Sequence, residues 1–258
     1  MNIIVCAKQI PDPSDPGRLS PGNHTLVRDD KLILDDSDAY GVEIGLQLAE
    51  TTGGDVTLVS MAPGDEAGGL RTALAMGAAR AILVSDNALA GSDALSTAKV
   101  LAAVVRRAEP DLVIAGTEST DGYTGTLPVQ LAELLGFPSV SFARTISVAG
   151  GVLSAERQTE FGYDEVEVAL PAVVTVTAGA VEPRYPSFKG IMAAKRKPVE
   201  QLSLADLGID PATVGLAGAR QEIVSVTPAP VRQAGEIVID EGDAQERIVA
   251  FLEQLKVI

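Results

Sequence analysis

The sequence predicts an α/β fold, a parallel sheet with helices on both faces. Short apolar runs recur without polar alternation, as expected of strands buried on both sides, and stretches with helical spacing separate them. The apolar content is almost entirely aliphatic: 46% of the 258 residues are hydrophobic, yet only 3% are aromatic and none is Trp. Ala, Val, Leu and Ile without large rings suit tightly packed helix-on-sheet layers. The length fits one large domain, or one domain with an appendage, and the apolar content supplies ample core and rules out disorder of the chain as a whole.

Taken in order, residues 3–7, 56–60, 81–84 and 112–115 are the apolar runs that predict buried strands. Between them, Val42, Leu46 and Ala49 share one helical face, Leu70, Ala73, Leu74 and Gly77 a second, and Leu95, Ala98, Leu101 and Val105 a third. Gly91-Ser92-Asp93 offers an N-cap for that third helix, and Arg106 and Arg107 in its last turn complement the helix dipole. Right-handed crossovers between such strands make the sheet parallel. After Gly136-Phe137-Pro138 the texture changes. A Gly150-Gly151 turn lies between apolar stretches, and Val166-Glu167-Val168-Ala169 alternates, so residues 145–177 predict an antiparallel section, either an edge of the same sheet or a small second one. Residues 182–198 are basic and rich in turn formers, and 199–233, punctuated by proline and glycine, read as an extended arm. Helical spacing returns from Glu241 to Lys256 through Ile248, Phe251, Leu252 and Leu255.

The balance of charge narrows the function classes. With 20 Lys and Arg against 35 Asp and Glu, the formal charge of −15 repels phosphate backbones and anionic lipid outside a local basic patch, so nucleic acid is not an expected partner. A single cysteine, Cys6, makes no intramolecular disulfide, and a single histidine, His24, leaves no cluster for zinc. The opening Met1 to Lys8 is too short for a signal peptide, and no run of about 18 apolar residues occurs, so a soluble cytoplasmic protein is expected.

The most informative segment is 111–136. A strand, Asp-Leu-Val-Ile-Ala, enters a loop from Gly116 to Thr126 that holds three glycines and five Ser or Thr residues, and a helix leaves it with Pro128 in its first turn. Free backbone N–H groups at a helix start, uncharged hydroxyls and glycines that permit close approach can surround a phosphate. The position suits ligands that sit beyond the carboxyl ends of strands. A plain structural loop fits the same residues, because neither Gly-x-x-x-x-Gly-Lys-Ser/Thr nor Gly-x-Gly-x-x-Gly is present. With no lysine in the loop and no clear carboxylate pair for a metal, binding is favoured over phosphate cleavage; Glu118 and Asp121 serve equally well as backbone caps or ribose ligands. Cys6 lies in an apolar strand and reads as a packed thiol, His24 as a solvated imidazole, and Asp35-Asp36-Ser37-Asp38 as a helix-capping run before a cation site. Ile191 and Met192 read as packing residues.

One stretch carries a family resemblance. Leu170-Pro171-Ala172-Val173-Val174-Thr175-Val176-Thr177, followed by Glu182-Pro183-Arg184-Tyr185-Pro186-Ser187-Phe188-Lys189-Gly190-Ile191-Met192-Ala193-Ala194-Lys195-Arg196-Lys197-Pro198, resembles the signature of the electron-transfer flavoprotein small (β) subunit. The resemblance extends to Val5-Cys6-Ala7-Lys8-Gln9-Ile10-Pro11-Asp12, to Arg71-Thr72-Ala73-Leu74-Ala75-Met76-Gly77-Ala78, to the loop at 116–126 and to Asp206-Leu207-Gly208-Ile209, and fades after about residue 212. It implies an adenine nucleotide alpha hydrolase-like domain over residues 1–211 and a C-terminal arm over 212–258 that packs on a partner subunit. It also implies a heterodimer with an α subunit, an FAD at the interface held mainly by that partner, and a structural AMP held by this chain.

Carried over by position, the nucleotide residues are Cys6, Ala7, Asp35, Asp38, Met61, Gly116, Thr117, Glu118, Ser119, Asp121, Gly122, Thr124, Gly125 and Thr126. The loop has Gly125-Thr126 where some members carry Asn-Gln. Segment 182–198 resembles the family's recognition loop, with Phe188 as the apolar anchor for dehydrogenases among Arg184, Tyr185, Lys189, Ile191, Met192 and Lys195. An exposed aromatic among cations on an acidic protein makes an apolar plug with local charge steering; a solvated basic loop with Phe188 turned inward is the alternative. Arg157 and Gln158 fall where members approach the partner subunit, Gln158 replacing an acid found in many. The implied role is an electron carrier without bond chemistry of its own, passing electrons from acyl-CoA and similar flavin dehydrogenases to a membrane quinone oxidoreductase. The alternatives are a bifurcating member with a second FAD in the AMP site, and a stand-alone adenine-nucleotide-binding stress or signalling protein.

Overall fold

The computed structural model describes residues 1–15, 17–28, 31–231, 235, 237 and 239–258, which fall into two units, Met1–Val224 and Ser225–Ile258. In the first unit β1 (Asn2–Cys6) leads into a small antiparallel pair, β2 (Gln9–Pro11) and β3 (Leu32–Leu34). Then follow α1 (Asp36–Thr52), β4 (Asp55–Ala62), α2 (Gly68–Met76), β5 (Arg80–Ser85), α3 (Ala94–Ala108), β6 (Leu112–Gly116) and α4 (Leu127–Leu135). The chain continues through β7 (Ser139–Ala149), β8 (Val152–Thr159), β9 (Gly162–Ala169), β10 (Ala172–Val176), α5 (Phe188–Ala194), β11 (Val199–Leu202) and the single turn α6 (Gly215–Gly218). Among the described residues nine strands form one sheet in the order β11-β5-β4-β1-β6-β10-β7-β8-β9.

Pairing is parallel from β11 to β7 and antiparallel from β7 to β9. The four apolar runs all lie in the parallel part, and their lack of alternation has a direct cause: each strand feeds two cores. Ile3, Val5, Leu58, Leu112 and Ile114 point to the side covered by α1 and α2, while Ile4, Cys6, Val59, Val113 and Ala115 point to the side covered by α3 and α4. The antiparallel section is therefore an extension of the same sheet. Its first turn, Gly150-Gly151, has φ of 59° and 80°, the two left-handed residues that a tight hairpin turn needs.

Capping fixes the helices that flank the site. Asp35 accepts from the Ser37 N–H at the start of α1, and Asp93 from the Ser96 N–H at the start of α3, with Arg106 and Arg107 in the last turn of α3 as expected. Two segments differ from the sequence reading. Val199–Leu202, expected in an irregular arm, is a parallel edge strand on β5; with only Leu202 buried it carries almost no apolar signal of its own and is held by pairing. The basic loop at 182–198 contains α5, started by Ser187, whose side chain accepts from the Gly190 N–H.

Among its described residues the second unit has one regular element, α7 (Ala244–Gln254), which buries none of its residues. No helix among the described residues is long and apolar enough to cross a membrane.

Candidate functional site

The ends of β1 and β6 and the start of α1 meet around two buried carboxylates. Cys6 closes β1, and the next peptide turns so that the Lys8 N–H donates to Asp38 Oδ2 at 2.6 Å. The Gly116 N–H, at the end of β6, donates to the same carboxylate. Gly116 is required by this approach, since a Cβ there would lie 2.9 Å from Asp38 Oδ1 and 3.0 Å from Ser37 Oγ. Asp35, fully buried, accepts from Ser37 N–H with one oxygen and from the Thr120 N–H, at 2.8 Å, with the other. The acidic run thus does more than cap a helix: Asp35 and Asp38 stitch the loop and two strand ends to α1. Burial pushes the Asp38 carboxyl up to about 7 despite its two backbone donors, with Asp35 adding repulsion.

The loop from Gly116 to Thr126 is fixed at several points. Thr117 Oγ1 lies 3.1 Å from Thr175 Oγ1 and 3.1 Å from the Val176 carbonyl, and Ser37 Oγ lies 2.9 Å from the Glu118 carbonyl. At its crest the Asp121 carboxylate, with only 6% of its side chain exposed, receives Lys8 Nζ at 2.6 Å and the Arg28 guanidinium. Lys8 Nζ also reaches Ser119 Oγ at 3.1 Å, and Arg28 reaches the Gln9 carbonyl. Burial alone would raise the Asp121 carboxyl, but these cations hold it below the usual carboxylate range. Two cations thus share one carboxylate at the crest, on a protein that is acidic overall. The loop carries no lysine, as its sequence says, yet the fold brings one to it.

Gly122, Thr124, Gly125 and Thr126 are exposed, and Thr126, preceding α4, makes no side-chain capping bond, so the first N–H groups of α4 have no side-chain partner from their own N-cap. Met61 is partly buried near the end of β4, on the side of the sheet covered by α3 and α4. Cys6 faces the same side; burial, with Asp38 adding repulsion, pushes its thiol up to about 12, which makes it a packing residue rather than a nucleophile. Lys8, Arg28, Ser37 and Thr175 join the expected residues without having been singled out. Lys8 stood next to Cys6 and Ala7 and was within reach of the same reasoning, whereas Arg28 is 93 residues from Asp121 and no spacing links them.

A second constellation lies at 182–198. Tyr185 and Phe188 are 90% and 81% exposed, so Phe188 is not turned inward, and Ile191 and Met192, expected to pack, are half exposed beside them. Lys189 and Lys195 are exposed. Arg184 instead folds back onto α1: its Nε lies 2.7 Å from Glu43 Oε2, its Nη1 2.6 Å from Glu50, and its backbone N–H also donates to Glu43. Lys197 is likewise turned inward, its Nζ donating to the Leu74, Gly77 and Ala78 carbonyls at the end of α2, while Arg71 of α2 donates to the Ala194 and Lys197 carbonyls at the end of α5. The two helices cap each other's C-termini. A groove of about 570 Å³ runs between them, floored by Ala75 and Ala194 and flanked by Pro186 and Ile191. Arg157 and Gln158 are exposed on β8, opposite Asp164 and Tyr163 of β9, where Arg144 lies 5.2 Å over the Tyr163 ring.

Residues 23–207 match the family model described as the electron transfer flavoprotein domain. The chain is 42% identical to the electron transfer flavoprotein subunit beta of Mycobacterium leprae, over all of this chain and 99% of that protein. It is 41% identical to the subunit of the same name from Mycobacterium tuberculosis H37Rv, over the same shares. With that of Thermoanaerobacterium thermosaccharolyticum the identity is 37%, over 99% of this chain and 98% of that one.

Proposed function

Because the chain belongs to the electron transfer flavoprotein family, in its β-subunit branch, we propose that it pairs with an α subunit in the cytoplasm, retains AMP in the cleft between β1, β6 and α1, and presents 182–198 to flavin dehydrogenases. FAD, held mainly by the α subunit at the interface, supplies the redox chemistry when bound; this chain performs no bond chemistry of its own. Electrons enter from acyl-CoA and related dehydrogenases and leave to a membrane quinone oxidoreductase.

The observation that carries the reading is the pinned loop. Its fit to a nucleotide rests on the donor set: Lys8 beside the Ser119 hydroxyl, Arg28 beside Asp121, the exposed Thr124 and Thr126, and the start of α4 all favour a phosphate. The carboxylates that look free in the sequence are spent on the scaffold. Asp35 and Asp38 hold the walls of the cleft, and Asp121 holds the two cations in place. The bound nucleotide is kept because nothing beside it is activated to attack it: the one thiol is protonated and buried, and the loop's hydroxyls have no histidine partner.

Co-expression with an electron transfer flavoprotein α subunit of the same organism tests the assignment. A tagged copy of this chain should recover an equimolar, yellow, FAD-containing partner that survives gel filtration. Recovery of this chain alone, stable and colourless, would overturn it in favour of a free-standing binding protein.

A further inference from the structure

We propose that Glu43 and Arg184 are a positioning pair for dehydrogenase docking, the buried carboxylate in the middle of α1 fixing the entry of the docking segment so that its apolar face is preorganised. The inference rests on the docking reading above. Arg184 is the last residue before the exposed run from Tyr185 to Met192. Its backbone N–H and two of its guanidinium nitrogens all converge on Glu43, at 3.1, 2.7 and 3.0 Å, and a third nitrogen takes Glu50. The Glu43 side chain is only 5% exposed, and Gln47 donates to it as well. Burial alone would raise its carboxyl, but the Arg184 hydrogen bonds outweigh that and hold it below the usual range.

What this pair anchors would not order itself. The seven residues of α5 are far short of a self-supporting helix, and their largest side chains face outward. The segment is held at its far end by the mutual caps of Arg71 and Lys197, in the middle by Gly190 seated on the Ala75 carbonyl, and at its near end by Arg184. Loosening the near end would leave Phe188 and Tyr185 exposed but no longer fixed. A partner would then have to order them on binding, which weakens association without touching electron transfer once docked.

The test uses the intact α/β dimer carrying Glu43→Gln, Arg184→Lys, Phe188→Ala, or Glu43→Gln with Phe188→Ala, reduced by an acyl-CoA dehydrogenase of the same organism with butyryl-CoA as reductant. Glu43→Gln should raise the KM for the dimer about tenfold with kcat, FAD content and nucleotide content unchanged. It should speed amide exchange at Gly190 and Ile191, and it should add little to the KM of Phe188→Ala. Arg184→Lys should give a smaller rise of the same kind. If Phe188→Ala raises KM but Glu43→Gln and Arg184→Lys do not, positioning is refuted while docking stands. If Phe188→Ala leaves KM alone, the docking reading fails and takes this one with it. Loss of FAD or nucleotide in both Glu43→Gln and Arg184→Lys would make the pair a general structural clamp and would also overturn the proposal.

Discussion

Asp38 accepts one backbone N–H from the turn after β1 and another from the end of β6, and burial still pushes its carboxyl up to about 7. The sign of its contribution follows from proton counting. Between the ordinary carboxylate range and about 7 the folded chain holds a proton that the unfolded chain has released, so this group's stabilisation is present below that range and is lost as pH rises through about 7. Asp38→Asn removes the titration but supplies one acceptor oxygen in place of two, at a cost of about 1 kcal/mol for the lost strand-end bond. The thermal midpoint of the native dimer minus that of the variant should therefore shrink from pH 5 to pH 8. A constant difference would mean that Asp38 is ionised throughout. Asp121 has the opposite slope: its stabilisation is present above the usual carboxylate range and is lost on acidification below it, as Lys8 and Arg28 lose their anion.

Among the elements, α5 is set by its neighbour more than by its own sequence. A Cβ on Gly190 would lie 2.4 Å from the Ala75 carbonyl oxygen, a backbone atom that cannot swing away. Gly190→Ala gains up to about 1 kcal/mol of helix propensity, but the overlap must push α5 off α2, at a cost of about 1–3 kcal/mol. The clash wins. We expect a thermal midpoint lowered by about 2–4 °C per kcal/mol and a raised KM for dehydrogenase, read by calorimetry and steady-state kinetics; an unchanged midpoint would mean that α5 does not lean on α2. The same distinction explains which elements were legible in the sequence. β1, β4, β5 and β6 feed two cores each and announce themselves as apolar runs, and the Gly150-Gly151 turn requires backbone that glycine supplies cheaply. β2, β3 and β11, three or four residues long, owe their order to partners distant in the chain, and α5 is held by the Arg71 cap on its C-terminal end and by Lys197, which ties the chain after it to the end of α2. Periodicity within a segment carries none of that.

Across the whole molecule, the basic segment on an acidic chain invites a reading of broad electrostatic steering, which the fold narrows. Arg184 and Lys197 are committed to Glu43 and to helix carbonyls, and the residues that remain outward beside Phe188 are fewer cations around a larger apolar face. The candidate nucleotide site was legible in part. The glycine- and threonine-rich loop at the carboxyl end of a buried strand is a sequence pattern, whereas the pairing of Asp121 with Lys8 and Arg28 joins positions 113 and 93 residues apart and emerges only when β1 and β6 lie side by side. The proposed function requires an adenine nucleotide held at the ends of β1 and β6 beside a partner-held flavin. Acid-releasing the ligands of the purified α/β dimer and quantifying them by chromatography tests it most directly: the account predicts one FAD and one AMP per dimer, and two FADs with no AMP, or one FAD with nothing else released, would contradict it.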